Sequence, residues 1–137
     1  MNPDYKALRA EILALHKKLI DAHWDKNVNF FIQNLSNNYL SVSNGDIRTP
    51  TKGEIRAQFT NYLNNTTFEE YKDLREPIIG FSKDGSMAWS IVQVKVKGRR
   101  TMDDGSARDL DFICAWITLY ERQGEKWIRL GEVSTFK

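Results

Sequence analysis

The chain has one cysteine, three prolines, eight glycines and no long apolar run, and each scarcity closes off a class of structure. A lone thiol, Cys114, can form neither an internal disulfide nor a cysteine-based zinc site; inside an apolar strand it reads as a small hydrophobe. With so few prolines and glycines there is no linker, repeat or low-complexity tract. No stretch approaches the roughly 18 apolar residues of a membrane-spanning helix, and Met-Asn-Pro-Asp-Tyr-Lys at the start lacks the apolar centre of a secretion signal. A cytoplasmic protein that engages no membrane is the expectation, and the sequons at Asn34, Asn64 and Asn65 then read as turn-forming asparagines. Charge of one sign is scarce too. The formal balance is +2 with acidic and basic residues mixed along the chain, so no nucleic-acid partner is expected. There is no P-loop, dinucleotide glycine fingerprint, serine nucleophile elbow or spaced metal-ligand set, so neither a cofactor nor a metal is expected.

What is present fits one domain, residues 1–137, long enough to bury a core. Asn2 and Pro3 make a helix start, and Tyr5, Leu8, Ile12, Leu15, Leu19 and Ala22 recur at helical spacing to about Trp24. Asp25 is the expected cap of a second, shorter helix with Val28, Phe31, Ile32 and Leu35 as its apolar stripe, ended by Ser36-Asn37-Asn38. A short strand from Tyr39 to Ser43 runs into the turn Asn44-Gly45, and Thr51 with Glu54 has capping-box spacing ahead of a third helix carrying Ile55, Phe59, Tyr62 and Leu63. The period then changes. Strands are expected near 67–82 (bent at Pro77), 86–99, 107–122 and 125–136. Helices followed by long antiparallel strands indicate an α+β domain with a strongly curved sheet. The last two strands carry apolar residues at both parities, so both faces of that hairpin are expected to be covered.

This order, with Trp24-Asp25-Lys26-Asn27 between the first helices, Ser43-Asn44-Gly45 before the capped third helix, Ser82-Lys83-Asp84-Gly85-Ser86-Met87-Ala88-Trp89, and Gly124-Glu125-Lys126-Trp127-Ile128 near the end, resembles the nuclear transport factor 2-like superfamily, most closely its SnoaL-like (polyketide-cyclase-like) and related uncharacterised branches. The resemblance runs from about residue 5 to the end. It implies a cystatin-like α+β roll: a cone-shaped antiparallel sheet wrapped around three N-terminal helices, a pocket between sheet and first helix, and a homodimer through the outer face of the sheet. Pattern and resemblance together place Ala88, Ser90, Val92, Val94, Ile113, Ala115, Ile117, Leu119, Ile128, Leu130, Glu132 and Ser134 inside. Trp89, Ile91, Trp116, Tyr120, Trp127 and Val133 then form the outer set, and Trp89, Ile91, Trp116, Tyr120 and Trp127 are the expected dimer interface.

Glu132 interrupts the apolar inner parity. It reads either as a general acid or base with a raised pKa or as a carboxylate at the open mouth or held by a structural partner. His23, on the pocket side of the first helix, is the candidate partner in a proton relay or else a helix-end residue. Ligand contacts are expected from Tyr39, Ser43, Phe59, Tyr62, Ser90 and Ser134. Many relatives have histidine where Glu132 stands. The base carboxylate of ketosteroid isomerases has no counterpart among Tyr39, Ser41 and Ser43, which disfavours that chemistry. Three functions stay open: binding of an unknown, largely apolar small molecule; a cofactor-independent lyase, isomerase or cyclase using Glu132; and a non-enzymatic association module.

Overall fold

The structure is a computed structural model that describes residues 3–137. Helix α1 spans Tyr5–Asp25 and is capped by Asp4, whose side chain accepts from the Ala7 amide at 3.1 Å; Asn2, the expected cap, lies outside the described residues. Its end is set by Lys26, which takes a left-handed conformation and donates Nζ to the Leu63 and Thr66 carbonyls, tying the turn to the end of the third helix. Asp25 therefore closes α1, and Asn27 occupies the cap position of α2, Val28–Ile32. Asn34, at positive φ, turns the chain straight into strand β1, Leu35–Ser43, so Ser36-Asn37-Asn38 lies within a strand and not at a helix end. A short β2, Asp46–Arg48, follows the Asn44-Gly45 turn, and α3, Lys52–Asn64, carries the expected capping box between Thr51 and Glu54.

The remaining strands are β3 (Thr66–Asp73), β4 (Ile78–Phe81), β5 (Met87–Thr101), β6 (Ala107–Gln123) and β7 (Lys126–Phe136). The single bent strand expected at 67–82 is two strands, lying end to end along one edge of β5, because Pro77 has no amide to donate. The sheet runs β2-β1-β7-β6-β5-β3, with β4 also on β5. Pairing is antiparallel except between β1 and β7, so the sheet is mixed. Register shifts in β1/β7, β3/β5 and β6/β7 supply the local kinks that bend such long strands.

Register decides which face each residue occupies. On β5 Ala88, Ser90, Val92 and Val94 are buried, as the pattern predicts, and Val96 continues the set. These residues lie opposite Tyr120, Thr118, Trp116, Cys114 and Phe112 of β6, so it is this parity that faces the helices. Ile113, Ala115, Ile117 and Leu119 therefore lie on the outer face, the reverse of the expectation, and Trp116 and Tyr120 lie inside. A strand apolar at both parities carries no mark of its own orientation; the partner strand supplies it. On β7, Glu132 and Ser134 face inward and Val133 outward, as expected, but the shift at Leu119/Tyr120 leaves Leu130 as an extra residue and inverts the strand before it. Ile128 thus turns outward, and Trp127 turns inward. Gly131 sits at this bulge, where a Cβ would lie 2.7 Å from the Leu40 carbonyl oxygen. Inside, Trp127 packs with Ile12, Ala88 and Tyr120, and its indole N–H donates to Glu11 at 3.0 Å, so the buried ring leaves no donor unmet.

Candidate functional site

At one end of the concave face α1 fills the space. Ile12 is fully buried, and Leu8 and Leu15 complete its contact with the sheet. Past Leu19 the helix lies against the β3 edge, His23 stacking on Tyr71, and against the other helices, Ala22 meeting Phe31 of α2 and Leu63 of α3. A cavity of about 410 Å³ remains between these three helices and β1, β5, β6 and β7, within the range of about 300–1,000 Å³ usual for small-molecule sites. Its deep wall includes Leu19, His23, Tyr71, Val96, Cys114 and Trp116. Its exposed lining residues, Arg48, Gln58 and Phe136, mark the mouth.

His23 is the most enclosed polar group of the wall. Its ring stacks on Tyr71 with centroids 4.1 Å apart and meets Phe31, Tyr62 and Phe68 edge-on. Nδ1 lies 2.8 Å from the Leu19 carbonyl oxygen and, as the donor there, leaves Nε2 unprotonated in the neutral ring. Burial dominates over that hydrogen bond and brings its pKa down to about 4, so the ring is neutral at ordinary pH. The other helical histidine, His16, is bound to Asp73 at 2.7 Å and does not line the cavity.

Glu132 projects into the cavity from β7, opposite Ser41 of β1 and Thr118 of β6. Burial raises its carboxyl above the ordinary value of 4.5, opposed by the Arg129 guanidinium and by the Tyr39 hydroxyl. Arg129 is pinned through Nη2 to the Phe30 and Gln33 carbonyls, at 3.0 and 3.2 Å, and lies over the Phe30 ring. Tyr39 is buried, its phenol raised chiefly by burial and next by the Glu132 charge. Burial likewise pushes the Cys114 thiol and the Tyr62 phenol up to about 12. Burial thus disfavours the charged forms of His23, Tyr39, Tyr62, Cys114 and Glu132 in this wall.

His23 and Glu132 line the same cavity, but among the described residues no ion pair joins them. Tyr39, Phe59, Tyr62 and Ser134 also line it. Ser90 and Ser43 do not. Ser90 faces inward, but at the filled end beneath α1, where it is 3 % exposed, and Ser43 lies beyond the wall at the β1–β2 turn. Trp116, Tyr120 and Trp127 are buried on the inner face and form no part of an outer interface; Trp116 is a cavity wall. Sequence reasoning missed Arg48, Arg100 and Arg129, since an arginine in a strand reads as a solvated residue until the curvature and the bulge are known. Gly131 is the signal that marks the bulge.

No protein-family model matches the chain, and no curated protein matches it. Solved structures do. LinA superposes with a TM-score of 0.74 at 15% identity over 98% of this chain and 88% of that one. An NTF2-like protein from Cytophaga hutchinsonii gives 0.71 at 19% identity, covering 93% and 96% of the two chains. An uncharacterised protein with a cystatin-like fold from Caulobacter vibrioides gives 0.68 at 14%, covering 92% and 87%. Element order, the curved sheet and these superpositions agree: the chain has the nuclear transport factor 2-like, cystatin-like α+β fold.

Proposed function

We propose that this chain binds a small, largely apolar molecule in the cavity between α1 and the curved sheet. The observation that carries this reading is the cavity itself: a folded chain with aromatic rings to spare leaves about 410 Å³ unfilled beside Phe59, Tyr62, Tyr71 and Trp116. Interiors ordinarily close such voids, because a large empty space forfeits contacts on all its walls. An association module needs no such space. The test is a calorimetric titration with naphthalene-2-carboxamide, a neutral, flat probe. The intact protein should bind it, and Ser134→Trp, which plugs the cavity, should lose most of that binding while melting cooperatively. Equal binding by both proteins would contradict the reading.

A second reading, a cofactor-independent enzyme of the lyase, isomerase or cyclase type, is favoured by one arrangement. Glu132 has a raised pKa beside the Tyr39 hydroxyl in a cavity that also holds neutral His23. Such a carboxylate is suited to taking a proton from carbon next to a carbonyl, with a phenol O–H steadying the developing oxyanion. Exchange of the methyl protons of 2-acetonaphthone in deuterated water should then be faster with the intact protein than with Glu132→Gln. Identical rates would remove the enzyme reading and leave ligand binding.

The outer face supports a homodimer. Ile91, Ile117 and Val133 lie side by side across β5, β6 and β7, with Trp89 and Leu119 in the next row. Four of these five are exposed, between 37% and 47%, and together they form an apolar patch on three adjoining strands. A second copy of the same sheet face is the complementary partner. Trp89→Arg should convert dimer to monomer in sedimentation; an unchanged dimer would place the interface elsewhere.

A further inference from the structure

The cavity lining is asymmetric in charge. Its cationic residues are Arg48, Arg100 and Arg129, against the one carboxyl of Glu132. Arg129 is committed, giving hydrogen bonds to two carbonyl oxygens and offsetting the Glu132 charge. Arg48 and Arg100 are not. Among the described residues neither forms an ion pair, and the one hydrogen bond from Arg100 goes from Nη2 to the neutral Asn61 Oδ1 at 2.8 Å. The Nε of Arg100 is shut away from solvent without an acceptor, while its guanidinium carbon stands 5.3 Å from the Tyr62 ring centre. The single bond through Nη2 also leaves Nη1 without an acceptor among the described residues, so Arg100 has hydrogen-bonding capacity that the protein alone does not use.

Position matters as much as number. Arg48 stands on β2 and Arg100 on β5, far apart in strand order, yet the curl of the sheet brings both to one cavity. Arg48 is exposed at the mouth and Arg100 half-buried, whereas the deep wall is Leu19, His23, Tyr71, Cys114 and Trp116. The deep end offers an anion nothing: the His23 ring is neutral, Glu132 is itself an acid, and the remaining surface is aliphatic, aromatic or thiol. An apolar body belongs inside, and a negative group belongs at the rim.

Resting on the ligand-binding reading above, we infer that the ligand class is an amphipathic organic anion. Its flat or apolar body lies against Trp116 and Tyr71, and its carboxylate or equivalent acid group is held at the mouth by Arg100 and Arg48. A guanidinium suits this task because its planar fork gives two parallel hydrogen bonds to a carboxylate.

The test uses a matched pair of probes, 2-naphthoate and naphthalene-2-carboxamide, which share a body and differ in charge. Calorimetry at fixed low salt should show 2-naphthoate binding about ten-fold or more tighter than the amide, from one charge-assisted contact. Arg100→Gln should erase most of that preference, read as the ratio of the two affinities within each variant. Because Arg100 also touches Asn61 and Tyr62, the exposed Arg48→Gln serves as a second variant that leaves the fold intact; it should lower the preference by a smaller factor. Rising salt should weaken only the anion. Equal or tighter binding of the amide, or an anion preference untouched by both variants, would overturn the anionic ligand class while leaving the pocket reading standing. Binding of neither probe at millimolar concentration would contradict the pocket reading and this inference with it.

Discussion

At one end of the concave face Ala88, Tyr120 and Trp127 close over Ile12, which is wholly buried; at the other, Val96, Cys114, Trp116 and Glu132 look into a cavity of about 410 Å³. The two ends share a sheet and a row of strands, and both carry aromatic residues, so side-chain size does not separate them. The helix does. Leu8, Ile12 and Leu15 seat the first half of α1 on the sheet beside Ala88, Tyr120 and Trp127, while in the second half His23 stacks on Tyr71 at the β3 edge and Ala22 meets Phe31 of α2 and Leu63 of α3. The polar groups differ accordingly. At the filled end Glu11 answers Arg122 and Trp127, and Arg122 holds its carboxyl below the usual range. At the hollow end burial acts on Glu132 and His23 with less to oppose it, raising the acid and lowering the base.

The largest effect that sharpens this contrast is in stability. Ile12→Ala empties a packed site and should cost about 2–5 kcal/mol in chemical denaturation. Leu19→Ala, beside a space already open, should cost only about 1–2 kcal/mol, since fewer contacts are lost there. Equal losses would mean that both ends are packed alike. Next comes His23. Its folded pKa lies below its unfolded value, so the unfolded chain takes up a proton first as pH falls, and stability should drop from about pH 6.5 to about pH 4. The full loss is about 3 kcal/mol. His23→Asn keeps a donor for the Leu19 carbonyl and should flatten that part of the profile; a slope identical to the parent's would show that His23 titrates normally.

Glu132 works in the opposite direction. Its folded pKa is raised, so below the unfolded value near 4.5 it costs nothing, and its ionisation opposes folding as pH rises through the folded value. Glu132→Gln should therefore gain stability relative to the parent at neutral pH and gain less at acid pH. A difference independent of pH would mean that Arg129 and Tyr39 compensate the carboxylate fully.

Much of the fold was legible in the sequence because local chemistry and global shape agree in it. The Thr51/Glu54 capping box, the α1 stripe and the alternation of β5 each specify one geometry. Glu132, His23, Tyr39, Phe59, Tyr62 and Ser134 were also recoverable, as residues at inward or helix-facing positions. The hairpin of β6 and β7 was not. Apolar residues at both parities leave the strand's facing to its neighbour's register, and one extra residue at Leu130 inverts half of β7. The pattern alone thereby puts Trp116, Tyr120 and Trp127 on the outer face, whereas they lie inside. Ser90 failed for another reason: an inward position is not a cavity position where α1 covers the sheet.

The difference between the two ends is most directly tested by the indole N–H signals of Trp116 and Trp127 in a nitrogen–proton correlation spectrum during titration with naphthalene-2-carboxamide. Trp116 walls the hollow end and Trp127 is sealed in the filled end. The expected result is a saturable shift of the Trp116 signal with Trp127 unmoved. A Trp116 signal that stays in place, or a Trp127 signal that moves as far, would contradict the account.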